Sequence, residues 1–126
     1  MLVDYAIRGP QAKQKQITIE KELRSIPDPH LSSMTNSVSG FKTSGGYANR
    51  FLQTDLTPEE VESYYREKLE EQQWVYMKEE EILSKRRVIF CRGKDETATL
   101  VLPEKAIQKS YEYSLTISWD ETPGCR

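Results

Sequence analysis

Residues 57–74 read TPEEVESYYREKLEEQQW, and they mark where the chain turns from helix to sheet. Thr57 is a strong N-cap residue, Pro58 suits the first helical position, and Glu60 completes a capping box. Glu59 and Glu60 in the first turn complement the positive end of the helix dipole. Val61, Tyr64, Tyr65, Leu69 and Gln72 recur at helical spacing and predict a buried face. Glu59, Glu62, Ser63, Arg66, Glu67 and Glu70 predict a wet one. Beyond Gln72 the period drops from 3.6 to 2, so the second half of the chain reads as strands.

Downstream, the pattern predicts a strand at 74–78, a charged connection through Glu79-Glu80-Glu81 to Lys85, and a strand at 87–92. A hairpin turn at Gly93-Lys94-Asp95-Glu96 leads to a third strand at 97–102, which Pro103 ends. Residues 104–109 read as a short connection. Residues 111–119 show the cleanest alternation. Tyr111, Tyr113, Leu115, Ile117 and Trp119 point one way, and Glu112, Ser114, Thr116 and Ser118 the other, as in a sheet covered on one face.

Upstream, 47–55 is strand-like. Residues 31–46 are rich in Ser, Thr, Asn and Gly, with room for a short edge strand at 37–41 and a turn at 44–46. Residues 11–26 predict a helix with Ala12, Ile19, Leu23 and Ile26 on one face, stopped by Pro27 and Pro29. Residues 1–10 read as a loose N-terminus and 122–126 as a loose tail. The expectation is one α+β domain over 1–126 with an ordered core of about 11–120. Its antiparallel sheet would have about five strands and two helices packed on one face, in the order α-β-α-β-β-β-β.

Composition bounds the function. The chain has 126 residues, with 18 basic and 20 acidic side chains giving a net charge of −2. No run approaches the ~18 apolar residues of a membrane span. The excess positive charge of a nucleic-acid binder is missing. Leu, Ile, Val and Phe number 27, just above the ~20% level that separates folded from disordered chains, so the core is expected to be thin and rich in aromatics.

Catalytic devices are scarce. His30 is the one histidine, and it lies between prolines and Ser-rich sequence with no nucleophile motif beside it, so it reads as a loop residue. Cys91 and Cys125 with one His do not make a zinc site; whether they form a disulfide or stay as two thiols is open. Gly40-Phe41-Lys42-Thr43 lacks the spacing of a phosphate loop. The runs Glu59-Glu60, Glu70-Glu71 and Glu79-Glu80-Glu81 sit in polar surroundings, unlike catalytic acids. No catalytic, cofactor-binding or metal-binding residue is assigned.

Charge is unevenly placed. Residues 55–81 hold ten acidic and three basic side chains, whereas 82–109 hold seven basic and three acidic. Acidic segments steer basic partners, or simply keep a helix soluble. Glu59, Glu62, Glu67 and Glu70 are therefore the candidate partner-binding residues.

Ile26-Pro27-Asp28-Pro29, then Thr57-Pro58-Glu59-Glu60 with Tyr64-Tyr65, then Leu69 and Trp74, give the chain a likeness. It resembles small uncharacterised bacterial domains with an Ile-Pro-x-Pro opening, a capped helix bearing Tyr-Tyr, and a Trp just beyond it. The pattern covers about residues 23–119, and Gln73 stands where those domains carry Gly. The resemblance implies a domain behind a lipoprotein signal or membrane anchor, facing outward, and carries no catalytic residues. Without an upstream anchor the expected compartment is the cytoplasm. The expected function is a non-enzymatic binding or accessory module with a protein partner. The alternatives are an immunity-type inhibitor of a basic toxin that uses the acidic segment 55–81, and a small enzyme with a site built from scattered Tyr, Arg and Glu residues. The oligomeric state is open.

Overall fold

Eight elements follow one another: α1 (Leu2–Ser25), β1 (Ser32–Lys42), β2 (Gly45–Thr54), α2 (Pro58–Glu71), β3 (Val75–Ile82), β4 (Lys85–Arg92), β5 (Glu96–Pro103) and β6 (Tyr111–Asp120). The computed structural model describes the backbone of residues 2–104 and 109–120, and the side chains of 10–104 and 109–119. The connection at 105–108 and the tail from 121, including Cys125, lie outside the described residues. The fold is α+β, with two helices and one six-stranded antiparallel sheet ordered β1-β2-β6-β5-β4-β3.

The sheet has six strands rather than about five, and the order is α-β-β-α-β-β-β-β. Residues 32–42 form a full strand, not a five-residue fragment. Its ladder to β2 is continuous except for a bulge between Met34 and Asn36. Nearly all its side chains are exposed, so no hydrophobic alternation marks it in the sequence; its backbone ladder to β2 holds it, with Ser32 and Thr35 adding side-chain bonds. Gly45 and Gly46, expected in a turn, begin β2 instead. The strand expected at 74–78 extends to Ile82 because the acidic run pairs across the ladder with basic β4, Glu80 opposite Arg87 and Glu81 opposite Arg86. At the other end of the chain, α1 begins at Leu2 instead of residue 11, with Pro10 inside it. Proline's fixed φ suits a helix, although its missing N–H leaves one helical hydrogen bond unmade.

The alternating last strand lies mid-sheet as its pattern requires. Tyr113, Leu115, Ile117 and Trp119 are buried beneath the helices. Ala98, Leu100 and Leu102 of β5, with Val88 and Phe90 of β4, extend the same face. Ala12, Gln16, Ile19 and Leu23 form the stripe of α1 that covers it, continued by Ile26 just past the helix, and Val61, Tyr65 and Leu69 do so from α2. Fully burying such large apolar side chains stabilises by about 1.5–3 kcal/mol each.

Two polar side chains inside this core, Gln16 and Arg50, tie the helices' side of the molecule to the sheet. Gln16 accepts from Trp119 Nε1 at 3.0 Å and donates to the Tyr47 carbonyl at 2.8 Å, latching α1 to β6 and β2. Gly46 lies beneath the latch: a Cβ there would stand 2.6 Å from Phe41 Cβ and 2.9 Å from Trp119 Nε1. Arg50, 8% exposed, donates to the Ile26 carbonyl at 3.0 Å and pairs with Asp28 at 3.5 Å. The Ile-Pro-Asp-Pro turn is thus anchored from within the sheet. Tyr64 adds a bond from its hydroxyl to the Pro27 carbonyl at 2.6 Å.

Candidate functional site

The capping box expected at Thr57 forms. Glu60 N–H donates to the Thr57 side chain at 3.2 Å, and Thr57 N–H donates to the Glu60 carboxylate at 3.0 Å. These bonds from Thr57 hold the Glu60 carboxyl below its ordinary pKa. The lowered value reflects a structural use of the group, as a helix cap.

The cap fixes the rotation of α2, and with it the direction of each glutamate. Glu59, Ser63, Glu67 and Glu70 fall at i, i+4, i+8 and i+11 and form one exposed stripe, flanked by the exposed Glu60 and Glu71. Glu62 leaves this group. It faces the β3–β4 hairpin, where Arg86 binds it and Arg66 approaches at 3.4 Å. Three of the four candidate partner-binding glutamates therefore share a surface, and the fourth is neutralised inside the molecule.

The same hairpin absorbs much of the charge contrast read from the sequence. Arg86 also bonds Glu79 at 2.6 Å, Arg87 lies 4.0 Å from Glu80, and Lys78 pairs with Glu80 at 2.8 Å. Arg92 turns to α1 and β5: it grips the Glu22 carboxylate, bonds Glu96 at 3.2 Å and stacks 4.3 Å from the Trp74 ring. These carboxylates, Glu22 first, raise the Arg92 pKa. The acidic and basic segments fold against each other, and the outer stripe of α2 remains as an exposed acidic surface.

Beside the first turn of this stripe lies an open pocket of about 370 Å³. Pro29, Leu56 and Tyr64 supply its apolar walls, with Glu59, Glu60 and Ser63 along the helix side and His30 at the loop side. Sequence reasoning left His30 as an isolated loop residue and missed this cavity. The two motifs that form it, the Pro27-Asp28-Pro29 turn and the capping box at Thr57, stand far apart in the sequence, and nothing local shows that they meet. A second recess of about 460 Å³ lies at the β1–β2 turn, where Gly40, Gly45 and Gly46 leave space among Phe41, Tyr47 and Trp119.

Among the described residues no group of His, Cys, Asp and Glu is placed to hold a metal ion, and no helix is long and apolar enough to cross a membrane. Cys91 is disulfide-bonded, while Cys125, the other half of the pair considered from the sequence, is outside the described residues. No family model, curated protein or solved structure matches the chain.

Proposed function

We propose that this protein is a non-enzymatic binding module, and that its contact surface is the outer face of α2 together with the adjoining pocket. The observation that carries this reading is the continuity of the two. Glu59 belongs both to the exposed acidic stripe and to the rim of the apolar cavity. A lysine or arginine side chain suits such a place. Its aliphatic stem would lie on Pro29, Leu56 and Tyr64 while its charge meets carboxylates. The partner is then a basic protein segment, which also fits an immunity-type inhibitor of a basic toxin. Arg86 and Arg66 already occupy Glu62, so Glu59, Glu67 and Glu70 are the residues assigned to the contact. The disulfide at Cys91 supports work in an oxidising compartment, in line with the resemblance to outward-facing anchored domains.

Titration with an Arg- and Lys-rich peptide, followed by fluorescence, tests the reading. Binding should weaken steeply with salt, and the triple charge reversal of Glu59, Glu67 and Glu70 to Lys should abolish it. Reversing Glu104, which is exposed on the β5 side, should leave it intact. Equal binding by the triple variant and the native chain would remove the proposal.

A further inference from the structure

We infer that the outer edge of β1 is a dimer interface, and that its occupant is β1 of a second copy, paired antiparallel across a two-fold axis so that the sheets join. The sheet ends in two edge strands, β1 and β3, and they are built differently. An edge strand turns every second N–H and C=O outward, and a monomeric protein guards such an edge with charge, proline or bulges. β3 has those guards. Lys78, Glu79, Glu80 and Glu81 fill its middle, and a register shift lies between Tyr76 and Lys78. β1 is left open. Residues 31–41 contain no Asp, Glu, Lys, Arg or Pro. Its bulge lies near one end, so Asn36 to Lys42 run in unbroken register with β2. Met34, Val38 and Phe41 stand 54%, 41% and 47% exposed along it. Among the described residues nothing pairs with its outer side.

The chemistry of the edge selects the occupant. It must be extended, long enough to match the regular stretch, and uncharged, because a charged strand would meet no counter-charge there. β1 itself meets these terms: each of the other five strands carries a charge within it or at its start, whereas β1 has only its terminal Lys42. Antiparallel self-pairing brings the Ser37-Val38-Ser39 segments of the two copies together near the axis and sends the two Lys42 side chains to opposite ends. No like charges meet, and Val38 and Phe41 gain cover. Such an interface is isologous and closes at two.

Sedimentation over a range of concentrations tests this. The native chain should pass from monomer to dimer and no further. The double variant Ser37→Lys/Ser39→Lys puts like charges near the axis. It should raise the dissociation constant about tenfold or more, with an unchanged circular dichroism spectrum. Glu67→Lys, on the face of α2, should leave dimerisation as it was, and the double variant should still bind the basic peptide. These controls separate this edge from the α2 surface. Amide exchange of the native chain keeps the inference falsifiable if the double variant does not fold: protection at 36–42 should rise with protein concentration. A native chain that stays monomeric at high concentration, oligomers larger than dimers, a double variant that dimerises normally, or amides at 36–42 indifferent to concentration would each overturn it.

Discussion

At Gln73 the backbone takes a left-handed conformation, with φ 70°. The Gln73 N–H donates to the Glu70 carbonyl and the Trp74 N–H to the Leu69 carbonyl, both at 3.0 Å, which is the Schellman close of a helix. Glycine is the usual residue at such a position because any Cβ is crowded there. The helix still ends here because Trp74, 2% exposed, locks the turn: its ring lies under Arg92, and its Nε1–H bonds Glu22 at 3.1 Å. Burial of one large aromatic outweighs the strain of one residue. Gln73→Gly should therefore stabilise the fold by about 1 kcal/mol, roughly 4 °C in Tm, in thermal or urea unfolding. Unchanged or lower stability would mean that the Gln73 side chain makes a contribution the backbone argument omits. The residues predicted the end of the helix near Gln72, but Gln in place of Gly at 73 hid the cap, which packing at the next residue enforces.

Among the elements, α2 was the most legible, since its cap, first-turn acids and buried stripe lie within 14 consecutive residues. Its cap also predicts a pH effect. Glu60 has its pKa lowered in the folded state, so its ionised form favours folding. That contribution is complete above the ordinary carboxylate pKa of about 4.3 and is lost as pH falls through the lower folded value. Glu60→Gln should remove this part of the acid sensitivity, so that native and variant stabilities converge as the pH is lowered below about 4 in urea unfolding. Parallel curves would show that the carboxylate is not acting through the cap. β1 was the least legible element, for a physical reason. A strand wet on both faces has no alternation to read, and its Ser, Asn and Gly content argues for a loop. Only the β2 ladder makes it a strand. The stripe of glutamates on α2 could be read because helical spacing is local. The exclusion of Glu62 could not, because Arg86 lies 24 residues away in sequence.

Across the whole molecule, a buried chain of hydroxyls joins α2 to the sheet and to the β1 entry. The Thr54 hydroxyl donates to the Leu31 carbonyl at 3.0 Å, Ser32 to Thr54 at 2.8 Å, and Tyr113 to Ser32 at 3.3 Å. Each of these protons is used, so at the 3.0 Å contact between Tyr65 and Tyr113 the Tyr65 hydroxyl must be the donor. Burial raises the pKa of both tyrosines. A raised tyrosine pKa gives stability that is complete below the unfolded value of about 10 and is lost as pH rises above it. Ionisation of Tyr65 and Tyr113 should therefore accompany alkaline unfolding. Their tyrosinate absorbance and the loss of circular dichroism should appear in one step, and Tyr65→Phe should weaken that dependence. Full ionisation in a chain that is still folded would contradict the buried network.

The sequence by itself determined the α+β class, the position of α2, the buried face of β6 and the helical stripe of α1, because each follows from periodicity and capping among near neighbours. Tertiary structure decided the rest. It put β2 beside β6, far along the chain, because both strands carry a buried face that the helices cover. It sent charged β3 to one edge and neutral β1 to the other. It also set Glu79, Glu80 and Glu81 against the arginines of β4. Charges separated in the sequence met in the fold, and the outer face of α2 kept the longest run of exposed carboxylates in the middle segment.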